Sequence, residues 1–179
     1  MKTRLSFLVL TPSLIAIALA LSSCGKPQSV TDLKNAIVRL KAAGEQDRTQ
    51  RTGYDDLLLD AQSKFELARA TLSSNTASAT TDALAKAVDA ELVWRDTEVI
   101  DGGLDPATAA PLKRLGVAKS DADFRKESDT FIAFEDDPDD DTPNDTAEKK
   151  SYRDDARQNL IKRSLAVVDV ALGKAEDAL

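Results

Sequence analysis

Two stretches of the chain carry apolar residues at alternating spacings of three and four: Leu58, Ala61, Phe65, Ala68 and Leu72, and then Ile161, Leu165, Val168, Leu172, Ala175 and Leu179. That spacing keeps one seam on one side of an α-helix, and an exposed seam of this kind must be buried against another. No sustained period-two alternation occurs anywhere, so no half-buried strand is signalled. With only 7 Gly and 6 Pro in 179 residues, and with Ala, Leu and charged residues dominant, composition points the same way. The expectation is an all-α fold, a bundle of three or four main amphipathic helices forming one domain over residues 29–179.

Reading along the chain, a helix starts at Ser29 with Asp32 as its capping partner, and Val30, Leu33, Ile37 and Leu40 form its narrow stripe. Gly44 and the polar stretch Glu45–Gly53 end or interrupt it. A second helix runs from Tyr54 to Leu72, with Asp60 and Lys64 as a favourable i,i+4 pair. Ser73–Thr80 has the composition of a loop. A third helix runs from Thr81 or Asp82 to Ile100, with Ala83, Ala87, Ala90 and Trp94 on one side, and Asp101-Gly102-Gly103 stops it. Residues 54–100 therefore read as an antiparallel helical hairpin. Asp105-Pro106 supplies N-cap and N1 of a short helix to Leu115, closed by Gly116. Ser120 or Asp121 opens a helical stretch bearing Phe124, Phe131, Ile132 and Phe134, with a short strand over Thr130–Phe134 as the alternative. A long last helix occupies 146–178, its stripe extended backward by Leu160, Ala156 and Tyr152. Ala61, Phe65 and Ala68 match half of a tetratricopeptide repeat, but the other half and the 34-residue period are missing. Trp94 reads as core filler, or else as a partner hot spot.

The first 24 residues have a different character. Lys2 and Arg4 precede an uncharged apolar run, Leu5–Leu21, and Leu21-Ser22-Ser23-Cys24 follows. A charged start, an apolar centre and small residues before a cleavage point form the layout of an export signal. The ending resembles the lipobox of bacterial lipoproteins, and Cys24 is the sole cysteine. The resemblance implies removal of residues 1–23, a diacylglycerol on the Cys24 thiol, an acylated amino group and a tether at 24–28. Gly25, where Asp would resemble an inner-membrane retention signal, implies the outer membrane facing the periplasm in a Gram-negative cell. In a Gram-positive cell the same anchor implies the outer side of the plasma membrane. The alternatives are an uncleaved anchor, marginal because 17 residues barely span about 30 Å of hydrocarbon, and an ordinary secretory signal. Losing the two positive charges of residues 1–23 takes the net charge from −7 to −9. So acidic a domain is not attracted to anionic lipid by its own surface.

The inventory excludes much chemistry. No histidine is present, so imidazole-based triads, metal ligands and proton shuttles are absent. One cysteine precludes an internal disulfide or a thiolate metal cluster. A net charge of −7 argues against nucleic acid as a partner. The acidic run Glu135–Asp145, with Pro138 and Pro143, reads as a solvated linker, an acidic loop over 135–147. Its other reading is calcium, because Asp137, Asp139, Asp141, Asp145 and Glu148 fall at positions 1, 3, 5, 9 and 12 of an EF-hand-like loop. Thr142 and Asn144 depart from that pattern, at the positions of the turn glycine and the apolar residue. For catalysis only paired carboxylates remain, with Asp55, Asp56 and Asp60 on one helix and Glu91 and Glu98 on another. Aromatics at 4% leave little to build a sugar-stacking cleft. The expectation is a non-enzymatic envelope lipoprotein, without cofactor beyond its lipid, that docks or assembles protein partners through helix faces. A calcium-responsive module is the alternative, followed by a carboxylate-dependent cell-wall hydrolase.

Overall fold

The computed structural model describes residues 26–46, 51–97, 103–132 and 145–179. Among these residues there are six α-helices and no strand: α1 Gln28–Gln46, α2 Arg51–Ala68, α3 Ser74–Thr97, α4 Ala109–Leu115, α5 Asp121–Ile132 and α6 Asp145–Ala178. Short 3₁₀ turns at Arg69–Thr71 and Pro106–Thr108 follow α2 and precede α4. The chain is an all-α helical bundle.

The seams explain the packing. Leu33, Ile37 and Leu40 on α1, Leu58, Ala61, Phe65 and Ala68 on α2, and Leu160, Ile161, Leu165, Val168, Leu172 and Ala175 on α6 are all buried. The same holds for Ala83, Leu84, Ala87, Ala90, Val93 and Trp94 on α3. The most extensive pairings are α3 with α6 and α1 with α2, and α1 also lies along α6. Alanines on the buried face of α3 permit close approach of its neighbours. The expected 54–100 hairpin is present as α2 against α3, but the principal partner of α3 is α6. A long seam outcompetes a shorter one for the larger apolar area it can bury.

Local signals decide several helix ends. Asp105 accepts a hydrogen bond from the Ala107 amide at 2.8 Å, with Pro106 at the first position of the turn. Gly116 closes α4 at φ 72°, and the Val117 and Gly116 amides donate to the Leu112 and Lys113 carbonyls, both at 3.0 Å. That paired closure needs a left-handed residue, which glycine adopts without strain. Ser120 Oγ accepts from the Asp123 amide at 3.1 Å, and Asp123 accepts in return from the Lys119 amide at 3.1 Å. Ser120, one of the two residues named as the opening of this stretch, is thus its cap, and Asp123 is a partner that the sequence reading did not name.

Elsewhere the structure corrects the sequence reading. Ser73–Thr80 is not a loop, because α3 begins at Ser74. Ser73 Oγ accepts from the Thr76 amide at 3.2 Å, and the Thr80 and Thr81 hydroxyls donate to the Thr76 and Ala77 carbonyls at 2.8 Å. Hydroxyls that cap a helix or bond back onto its carbonyls no longer compete with it. α1 ends at Gln46, inside the stretch Gly44–Gly53 that was expected to end or interrupt it, whereas α2 already starts at Arg51, so that Gly53 lies inside it. α1 begins at Gln28, whose side-chain amide donates to Asp32 at 2.7 Å, so Asp32 does not cap Ser29. Thr130, Phe131 and Ile132 belong to α5, which removes the strand alternative over those residues, while Phe134 lies outside the described residues. The α6 stripe reaches back through Leu160 to Ala156, which packs half-buried against the core, whereas Tyr152 is exposed.

A second set of contacts fastens α4 and α5 to the long helices. Arg114 on α4 makes a two-pronged pair with Asp89 on α3, through Nε at 2.8 Å and Nη2 at 2.5 Å. Arg163 on α6 does the same to Glu127 on α5, at 2.9 and 2.5 Å. Asp96 accepts from the Thr108 hydroxyl and the Asp105 amide.

Candidate functional site

Of the residues singled out from sequence, Cys24, Glu98, Asp137, Asp139 and Asp141 lie outside the described residues. Asp145 opens α6 and Glu148 follows in its first turn, inside the helix, where a loop to residue 147 was expected. Among the described residues no three potential metal ligands come together. Asp60 is engaged by Arg39 at 2.6 Å and by Lys64 at 4.0 Å, which makes it a surface ion-pair residue. Asp56 faces solvent, while Asp55 and Glu91 are half-buried. Trp94 is core filler, 1% exposed, with its ring 5.9 Å from that of Tyr54 and tilted 45° to it.

Two features gather functional groups. The first is one pole of the bundle. Lys26 donates its ammonium to the Leu179 carbonyl, Lys34 donates to the Glu176 carbonyl at 3.2 Å, and the Thr76 hydroxyl donates to the Ala178 carbonyl at 3.3 Å. Cations at the last carbonyls of a helix complement the negative end of its dipole. The starts of α1 and α3 and the end of α6 are thereby drawn together.

The second is a cavity of about 180 Å³ between the last turns of α1, the first turn of α2 and the middle of α6. Leu40, Tyr54, Leu165 and Leu172 are buried and make its floor. Lys41, Lys162 and Asp169 stand at the more exposed side. Gly44 forms part of the wall, and a Cβ there would sit 3.8 Å from Tyr54 Cε2 and 3.9 Å from Leu165 Cδ2. Tyr54 is 2% exposed, and its hydroxyl has no hydrogen-bond partner among the described residues. Burial, and secondarily the carboxylates of Asp55 and Glu91, push its ionisation well above the ordinary tyrosine value of 10.0. The phenol therefore stays neutral wherever the bundle is folded.

A prediction follows from that orphaned hydroxyl. Tyr54→Phe should equal wild type or exceed its stability by up to about 1 kcal/mol at pH 7, since nothing pairs with the group removed. Above pH 10 the unfolded chain ionises this tyrosine and the folded chain does not, so wild-type stability falls with rising pH by about 1.4 kcal/mol per unit from this group. Urea unfolding of both proteins between pH 8 and pH 11 checks this. The gap in favour of the Phe variant must widen with pH, and a constant gap would refute the assignment.

Sequence reasoning missed this site for a topological reason. Lys41 and Lys162 belong to opposite ends of the chain, and only the pairing of α1 with α6 brings them to one opening. The available signal was Gly44, a side-chain-free position beside an apolar stripe. Compared with known proteins, the chain matches no family model, no curated protein and no solved structure.

Proposed function

We propose that the chain is a lipid-anchored protein of the cell envelope, a non-enzymatic docking or assembly factor that presents helix faces to protein partners. Leu21-Ser22-Ser23-Cys24 supplies the anchor in this reading. The observation that supports it most is the clasp of Lys26 onto the end of α6. Two residues of chain reach at most about 7 Å, so an acylated Cys24 keeps this pole at the bilayer. The 34 residues of α6 then extend about 50 Å from that pole. Two or three acyl chains, at about 0.8 kcal/mol per buried CH₂, make the mooring lasting. Leu59 and Leu67 on α2 and Val170 on α6 are large apolar side chains left open to solvent, 64%, 68% and 60% exposed, and they supply contact points for a partner. In a Gram-negative cell the location proposed is the outer membrane, facing the periplasm.

Fractionation and intact-mass measurement in the native host test the anchor. Wild type should pellet with membranes and carry diacylglycerol and acyl mass on Cys24, and Cys24→Ser should accumulate as uncut precursor without that mass. A bare thiol on Cys24 in mature native protein would overturn the anchor. Photo-crosslinkers placed at Leu59 and Leu67 test the docking role, which fails if neither position captures a discrete protein that a site at solvent-exposed Lys113 does not.

A further inference from the structure

We infer that the pole where α1 and α3 begin and α6 ends is a contact face for phospholipid headgroups, on which the bundle stands upright. The inference rests on the lipid anchor at Cys24. Thr71–Thr81 (TLSSNTASATT) holds seven Ser and Thr residues and no charge. Thr71, Ser73, Thr76, Thr80 and Thr81 spend their hydroxyls on the ends and carbonyls of the helices. Ser74, Asn75 and Ser78 do not: they are exposed, and their side chains make no hydrogen bond among the described residues. The Thr76 hydroxyl reaches the Ala178 carbonyl at 3.3 Å, and the Lys26 ammonium reaches the Leu179 carbonyl. The free hydroxyls and amide therefore stand beside the residues that follow the tether. With Lys26 clasped, a tether of about 7 Å leaves the bundle no slack to swing on.

Charge and polarity select lipid headgroups as the occupant. Residues 26–34, 66–81 and 174–179, which build this end of the bundle, carry four Lys and Arg against four Asp and Glu. The chain from Cys24 onward carries −9, so all of its excess negative charge lies elsewhere. This pole approaches an anionic leaflet without the repulsion that the remaining surface meets. Leu72 and Leu179, the large apolar residues at the tip, pack inward against the core, so nothing here inserts into hydrocarbon. Hydroxyl and amide groups instead match the phosphate and glycerol oxygens of headgroups. A protein partner would need an apolar centre, which the tip lacks.

The full lipidated chain is reconstituted into vesicles of equal parts phosphatidylethanolamine and phosphatidylglycerol. Asn75→Cys and Asp154→Cys each take one fluorophore, since the lipid occupies the native thiol. Position 154 is exposed on α6, about 37 Å along the helix from Leu179. A nitroxide carried on the lipid headgroup should quench most of the emission at position 75 and leave position 154 unchanged. Ser74→Glu combined with Ser78→Glu adds negative charge that suits a helix start, so the fold is kept. That variant should lose quenching at position 75 in these vesicles and retain it in phosphatidylcholine alone, where the surface charge is absent. Protein that floats with the vesicles while both labels are quenched alike would overturn the contact face and leave the anchor standing. Protein that does not float at all would overturn the anchor, and the face with it. Quenching that the two glutamates leave unaltered in the anionic vesicles would also sink the proposal. So would a photo-crosslinker at position 75 that captures, in the native host, a discrete protein in place of lipid.

Discussion

Trp94→Ala should lower the free energy of unfolding by about 3–5 kcal/mol, the cost of emptying a large aromatic site in a packed core. The indole is the largest fully buried side chain, set on α3 against Tyr54, with Thr97 bonded to its carbonyl at 2.7 Å. Neighbouring positions on the same face, Ala87 and Ala90, are too small to relax into the space. Domains of this size are stable by only about 5–15 kcal/mol. At about 2–4 °C per kcal/mol, the melting temperature falls by on the order of 10 °C. Urea unfolding followed by far-ultraviolet circular dichroism measures it without needing the lost fluorophore. A loss below about 1 kcal/mol, the scale of surface substitutions, would mean that the ring is not a core element.

Arg114→Ala should cost about 2–3 kcal/mol, by stripping a buried carboxylate of both its hydrogen bonds. Asp89 retains only 7% side-chain exposure, while Arg114 is 57% exposed. The asymmetry sets both sign and size. Removing the guanidinium strands a charge inside, yet water entering where it stood holds the cost to the lower part of the range for buried pairs. Asp89→Ala combined with Arg114→Ala should therefore be less damaging than the two single losses added together, which a double-mutant cycle reads directly. The pair fastens α4 to α3, so the damage should be local first. Limited proteolysis should cut within residues 103–132 of Arg114→Ala faster than in wild type, before the global transition. Unchanged cleavage there, with a unchanged urea midpoint, would show that Asp96, Glu127 and the α4 core residues hold the segment without the pair.

Features set by periodicity and by caps were legible in the sequence. The seams on α1, α2 and α6 could be assigned from spacing alone because burial of an apolar stripe leaves a helix little choice of face. Asp105-Pro106 and Gly116 were legible because each fills a backbone requirement that few residues meet. Ser73–Thr80 was misread because loop composition and helix capping use the same hydroxyl residues, and only the geometry of Thr76, Thr80 and Thr81 distinguishes them. Gly44 and the polar residues after it mark the end of α1 at Gln46, but Gly53 lies inside α2, because a glycine weakens a helix by only about 1 kcal/mol, less than the packing of the turns on either side restores. The cavity was illegible for a different reason. Its lysines and its tyrosine come from α1, α2 and α6, and nothing within any one of those segments encodes which other segment it meets.

The clasp of Lys26 on Leu179 has a consequence for engineering. Lys26 and Leu179 arrive at one spot, so whatever is attached after Leu179 is held beside the chain that leads back to the tether. A reporter fused after Leu179 would therefore sit beside the tether and sense the same surroundings.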